Sequence, residues 1–512
     1  MPRVAQTHWI DRFQGYSDAV NPGDPAKLTK DLNNVKFRFG RVLSRGGMSK
    51  YQSISTASSN IIGLYNYRNV SGTHVLFRQR TTALEKFSGG AWNDVTGTAL
   101  NGTSTTRPQY TIIDDTLVFT TEGADRPRKV TTGNSSDIAA SSAPFCKGII
   151  AYLGFLFCFN VSDSGAFTDV VDGHRIGRYA DDWDTAASWS PCDTNEINLD
   201  ETPGPWLAAV GLERNMFALK GDGVVKVRWI GGKQVFQQDG VASDVGIVSP
   251  LSLGIVGRDP GCANMAFWLG TDGIIYQLTA DGSITPISYT SLFELIPNTA
   301  SLNKLKYARG MVDSEDDTYY LYYDRTGLSN QLLDSYVSYN YLTKEWSKGR
   351  LPSINACVAF KDTDQAAESL IVSSTTLVYN FDDTSADDDG TAVSGGRYWT
   401  SGWQKMEEEG WLHRIRFVFS RSNYCYVAIS IAEGYGEEFG DEQVFKLVGA
   451  KASQTHVEVI FNMPTPRLVD WVNVKVRMVH TAANATVKLE KIGFETSSIL
   501  PTTEKIPKQD VV

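Results

Sequence analysis

The residues that could carry chemistry are spaced against most of it. Six histidines (His8, His74, His174, His413, His456 and His480) stand far apart. No two have the i, i+3 or i, i+4 separation that points a pair of imidazoles at one metal. The six cysteines, Cys146, Cys158, Cys192, Cys262, Cys357 and Cys425, include no Cys-x-x-Cys pair. Zinc and dithiol redox chemistry therefore lack a basis. The cysteines read as buried free thiols, with Cys146 and Cys158 flanking an apolar run at 148–159. Two acidic runs, DSEDDTYY from Asp313 and Asp387-Asp388-Asp389, offer hard oxygens for Ca2+. Neither has EF-hand spacing, and both read as solvated loops. GYGEEFG from Gly434 has the wrong spacing for a dinucleotide fingerprint. No P-loop, His-Glu-x-x-His or Gly-x-Ser-x-Gly occurs. The expectation is a non-enzyme with no cofactor and no metal.

Carbohydrate chemistry is the rival to weigh. Glycan-hydrolysing propellers use carboxylate pairs and repeated Asp-box turns. SDSGAF from Ser162 is a partial Asp box, and it does not recur. Trp183 and Trp189 could stack on sugars. Anchoring a blade or a subunit interface is the preferred reading of both.

The elements that would position these residues are strands. The 512 residues include 45 Gly, 23 Phe, 22 Tyr and 12 Trp. Aromatic residues suit a half-buried pleated surface, and Gly supplies tight turns. Hydrophobic residues make up 42%, enough for a real core. The net charge of −10 argues against tight phosphate-backbone binding. It allows a duct through which DNA slides. No apolar run approaches the ~20 residues of a membrane span, and the N-terminus does not read as a signal peptide. Five Asn-x-Ser/Thr sequons are attributed to chance.

Five regions are expected. Residues 1–50 read as an N-terminal arm with a short helix in DPAKLTKDLNNV, capped by Asp24 with Pro25 at its first position. Residues 51–385 repeat weakly. An apolar strand, a Gly- or Asp-rich turn and a second strand recur in units beginning at His74, Asp115, Ala151, Asn215, Met265, Asp317 and Ser369. The spacing, mostly near 50 residues, matches propeller blades. The GDG and TDG turns at Gly221 and Thr271 suit hairpins. Residues 386–396 read as an acidic linker or exposed loop. Residues 397–500 show alternating strands, as in Val472, Val474, Val476 and Met478, and suggest a β-sandwich, jelly-roll-like. Residues 501–512 read as a flexible tail. The fold class is mostly β: a β-propeller of six or seven blades with an N-terminal arm and a C-terminal β-sandwich.

Several fragments in order resemble the tail nozzle or hub proteins of short-tailed bacteriophages, the tail tubular B-like or head–tail stabilisation family. They are GYSDAVNPGDPAKLTKDLNNVKFRFGRVLSRGG from Gly15 to Gly47, HVLFRQRTTALEKFSGGAWNDV from His74, RIGRYADDWDTAASWSP from Arg175, DGVASDVGIVSPLSLGIV with FWLGTDGIIYQL, and SGWQKMEEEGWLHRIRFVF. The resemblance covers nearly the whole chain. It implies a virion structural protein assembled in the host cytoplasm, forming a homo-oligomeric ring, usually a hexamer. Such a ring lies below the portal or adaptor ring, docks tail fibres or spikes, and passes double-stranded DNA without reading its sequence. On that footing the arm would latch onto the adaptor, with Arg41 and Arg45 as assembly contacts. Removing residues 1–45 would then leave a folded chain that no longer joins tails. The alternative is a carbohydrate-binding or glycan-hydrolysing β-propeller used in host recognition.

Overall fold

A computed structural model describes residues 6–497, apart from 11, 14, 17–28, 39–40, 52–56, 132, 166, 168–173, 190–194, 232–234, 258–263, 289–301, 326–331, 362–367, 383–386, 389–392, 394–395, 402–403, 422–424, 434–436, 448–455 and 481–486. The described chain is mostly strand, arranged as seven four-stranded sheets and one ten-stranded sheet. By compactness it divides into two units. One comprises Met1–Ser49, Tyr336–Pro352 and Phe381–Val512; the other comprises Lys50–Ser335 and Ser353–Asn380.

The seven small sheets are the blades of a propeller. Six are simple meanders, spanning 61–94, 110–137, 145–198, 206–242, 254–286 and 309–354. The seventh takes three strands, Ala356–Phe360, Ser369–Ser373 and Val378–Asp382, and is completed by Gly47–Lys50 from the start of the chain. The blade number left open by the sequence is therefore seven. Apolar clusters join blades one and two, two and three, three and four, and four and five. Phe267 of blade five stacks on Tyr319 of blade six at 5.2 Å. Blade seven closes on blade one through Ile61, Leu64, Leu76, Ala356, Phe360 and Ile371. A closed ring of blades leaves only short, protected strand edges.

The second strand of each blade is where the sequence units were read. His74–Arg80, Thr116–Phe119, Phe155–Ser162, Asn215–Lys220, Met265–Leu269, Thr318–Tyr323 and Ser369–Ser373 begin at or within a few residues of those positions. Both faces of these strands meet neighbouring blades, so they run apolar without strict alternation. Phe155–Ser162 is buried at six successive positions.

The innermost strands are crowded and rely on small residues. A methyl placed on Gly310 would come 2.0 Å from the Ser252 carbonyl oxygen, and one on Gly148 would come 2.1 Å from the Phe159 ring. The first contact sets how closely blades five and six approach, and the second how the Phe159 ring lies over the innermost strand of its own blade.

The N-terminal region differs from the expected arm. Gln6–Ile10, Thr29–Asn33, Val35–Arg38 and Arg41–Ser44 are four of the ten strands of the large sheet. Thr29–Asn33 pairs with Tyr398–Ser401 although the helix was expected to include it; residues 24–28 lie outside the described residues. Leu32, Val35, Phe37 and Val42 are buried, and a free arm would expose them. The expected C-terminal sandwich is thus a joint product of both chain ends. Its 25-residue strand His456–His480 pairs first with Gln404–Arg421 and then with Cys425–Glu433, so one strand serves two sets of partners. Residues 501–512 lie outside the described residues.

Two outcomes are expected. Gly310→Ala should lower stability by about 1–3 kcal/mol, because the clashing atom is backbone and cannot rotate away; the denaturant midpoint measures it. Deleting residues 1–45 should remove four paired strands and unfold the large sheet, seen as loss of a cooperative thermal transition. A truncated chain with an unchanged transition would overturn this.

Candidate functional site

Of the two arginines singled out in the sequence, Arg45 is buried. Its Nη2 donates to both oxygens of the Asp388 carboxylate, at 3.2 and 2.9 Å. Its Nε donates to Asn34 Oδ1 at 3.3 Å, and its carbonyl accepts from Arg397 Nε at 2.7 Å. Asn34 is the hub. It sits at φ 53°, in the left-handed region that asparagine tolerates better than most residues. Its Oδ1 also accepts the Arg350 N–H at 3.1 Å, its Nδ2 donates to the Gly396 carbonyl at 3.0 Å, and its own N–H donates to the Lys348 carbonyl at 3.1 Å. Burial, with the Arg45 charge alongside, brings the Arg397 guanidinium down to about 10, still cationic at neutral pH.

The acidic stretch expected as an exposed linker is therefore part of this lock at Asp388, which is 4% exposed. A buried carboxylate must be paired, and Arg45 is its partner. Arg41 is different: it is half exposed, with Nε 2.9 Å from the Glu490 carboxylate. The structure does not bring the two arginines into one cluster.

The tryptophans weighed for sugar stacking are interior. Trp183 Nε1 donates to Asp114 Oδ2 at 2.8 Å, and Trp189 Nε1 donates to the Trp183 carbonyl at 2.7 Å. Both lie in the cluster between blades two and three. DSEDDTYY forms the hairpin turn of blade six, where Asp313 Oδ1 accepts the Glu315 N–H at 3.0 Å and the Asp316 N–H at 3.2 Å. No group of three metal-ligating side chains occurs among the described residues.

Sequence reasoning missed the propeller axis. Arg309 opens the innermost strand of blade six, and its Nη2 donates to the Ile62 carbonyl of blade one at 2.7 Å. That bond reaches past blade seven. Gln109 of blade two likewise reaches past blade three, with Nε2 donating to the Leu207 carbonyl of blade four at 2.9 Å. Tyr65 and Tyr110 stack at 5.0 Å. Side chains thus bridge the axis of the single propeller. Burial holds the Tyr110 hydroxyl far above its ordinary range and lowers the Arg309 guanidinium. Burial also pushes the Cys357 thiol up to about 12, with Arg309 opposing. No sequence signal marked these residues, because the contacts join blades far apart in the chain.

No known family profile matches this chain, and no curated protein does. Solved structures resemble it at low identity and low TM-score. PorZ, a surface component of the type-IX secretion system of Porphyromonas gingivalis, is 10% identical over 78% of this chain and 46% of its own, with a TM-score of 0.35. This chain therefore spans less than half of that protein. An exo-β-1,3-galactanase from Phanerochaete chrysosporium is 9% identical over 86% and 100%, TM-score 0.22. A gluconolactonase from Xanthomonas campestris is 8% identical over 71% and 98%, TM-score 0.30. These likenesses concern the fold alone.

Asp388→Ala should cost about 3–5 kcal/mol, because Arg45 would be left as an unpaired buried charge; thermal or urea unfolding reads it. Arg41→Ala should change stability by less than about 1 kcal/mol, as for a rim ion pair. Native protein at pH 8 should resist alkylation at Cys146, Cys158, Cys357 and Cys425, because burial raises or shields the thiols and the thiolate is the reactive form. Mass spectrometry before and after unfolding tests this.

Proposed function

We propose that the chain is a structural subunit of a short-tailed phage's tail ring, a nozzle or hub below the portal and adaptor that carries fibres or spikes. The observation that supports this most is the fate of the N-terminal pattern shared with that family. Gly15, Asn33, Asn34, Arg45 and Gly47 all occupy constrained positions. A side chain at Gly15 would collide with the Trp346 backbone at 2.4 Å. Asn33 Nδ2 donates to the Gly396 carbonyl at 2.8 Å, and Gly47 opens the strand that completes blade seven. The pattern is therefore a fold determinant, which is what a motif shared across a structural family should be. Arg45 is accordingly an internal lock in this reading, and Arg41 remains the candidate for a contact with a neighbouring ring.

The bridged axis adds a geometric condition. A duplex cannot thread one propeller whose axis is crossed by Arg309 and Gln109. In this reading the DNA duct lies between subunits, so a ring of copies is required, and no catalysis or cofactor is involved. The second reading is a carbohydrate-binding or glycan-hydrolysing propeller for host recognition.

Immunogold labelling of particles from the producing lysate tests the first reading. Gold at one end of icosahedral particles is the expected result. Protein free in solution with unlabelled particles would overturn it and move effort to glycan arrays.

A further inference from the structure

The interface between blades one and two is built mainly from apolar side chains, among them Phe77, Leu84, Leu117, Phe119 and Val130. Two polar groups are set into it. Gln79, on the second strand of blade one, is 0% exposed, and neither its amide nitrogen nor its amide oxygen has a hydrogen-bond partner among the described residues. The hydroxyl of Tyr110, at the start of the innermost strand of blade two, is likewise buried without a partner among them.

Strand pairing sets these two groups side by side. Gly63, on the innermost strand of blade one, is the direct partner of Gln79. Directly paired residues face the same side of a sheet, with Cβ atoms about 4.5–5.5 Å apart. A Cβ on Gly63 would lie 2.0 Å from the Tyr110 hydroxyl oxygen, so the hydroxyl stands where that side chain would be. The next pair on the same face, Tyr65 with Phe77, holds the ring: Tyr65 stacks on Tyr110 at 5.0 Å. The hydroxyl is therefore within about 7.5 Å of the Gln79 Cβ, a separation that the glutamine side chain and one water molecule span together. A buried amide or hydroxyl without a hydrogen bond is costly, and apolar neighbours offer it nothing.

We propose that the interface of blades one and two binds an ordered internal water, held between the Gln79 amide and the Tyr110 hydroxyl. The amide offers both a donor and an acceptor, the phenol can do either, and water complements both. Internal waters of this kind make two to four hydrogen bonds to polar groups that lack other partners, and they are costly to remove. The ligand is small because both groups are sealed from solvent and the hydroxyl already fills the notch at Gly63. Such a water adds a polar tie between the second strand of blade one and the innermost strand of blade two, across an otherwise apolar seam. The proposal is independent of the tail reading, since it concerns the propeller alone.

Urea unfolding of the full chain carrying Gln79→Met, Tyr110→Phe or both tests it. Methionine keeps the length of glutamine and removes the amide. With a shared water, each single change should raise the unfolding equilibrium constant about fivefold, the worth of one hydrogen bond. The double variant should cost less than the two single effects together, because both groups serve one molecule. A dry amide gives the opposite sign: Gln79→Met would then remove an unpaired buried group, and the midpoint would rise. That rise, or strict additivity of the two changes, would overturn the proposal. A high-resolution crystal structure of the full chain reads the site directly. An ordered solvent atom within ~3.2 Å of both Gln79 and Tyr110 is expected, whereas a direct bond between the two side chains would count against it.

Discussion

The buried pairing of Arg45 with Asp388 is the constraint on which the jointly built sheet unit rests. Two charges taken out of water gain little beyond what a well-packed apolar pair would give, but loss of either partner strands the other. Such a pair therefore acts as a registration device more than a source of net stability. Asn34 extends it: one side chain accepts from Arg45 and Arg350 and donates to Gly396. Three stretches, one of them more than three hundred residues from the other two, are thereby fixed in one relative position. Strand pairing alone is poorly suited to that task, because a slip of two residues preserves the alternation of faces.

The propeller solves a different problem. Seven small sheets would each expose edges, and closing them in a ring removes most of that exposure. The cost is crowding at the centre, where the innermost strands converge. Small residues there make room, Gly310 for the Ser252 backbone and Gly148 for the Phe159 ring, and polar side chains bond carbonyls on other blades. The result is an axis occupied by hydrogen-bonded side chains.

How much was legible in the sequence follows from which contacts are local. All seven blades were visible through their second strands, because burial on both faces produces an apolar run bounded by turns, as in Phe155–Ser162. The first strands were harder to read, since crowding replaces large apolar residues with Gly and Ala. The N-terminal strands were mistaken for an arm because each is only four or five residues long, and Gln6–Ile10 and Thr29–Asn33 have partners about 370–490 residues away, while Val35–Arg38 and Arg41–Ser44 pair locally. Thr29–Asn33 carries Lys, Asp and Asn, which suit a capped helix as readily as an edge strand. Asp388 looked like part of a solvated acidic run because nothing adjacent reveals Arg45. Trp183 and Trp189 were legible as blade anchors by residue type, but their partners were not. The axial bonds of Arg309 and Gln109 were invisible, since only ring closure brings those side chains to the carbonyls they meet.

The strand Gly47–Lys50 completes the seventh blade, yet it is made before the first. More than three hundred residues must follow it before Val378–Asp382 exists to receive it. At roughly 5–20 residues per second, that interval is on the order of 15–65 s. Throughout it the nascent chain holds one strand with no place to pair and a ring that cannot shut. Partial synthesis therefore yields an open arc of blades, and completion of the fold is timed by the ribosome's arrival at the last blade. A chain truncated before that point lacks the closing sheet, so the architecture itself distinguishes finished subunits from unfinished ones.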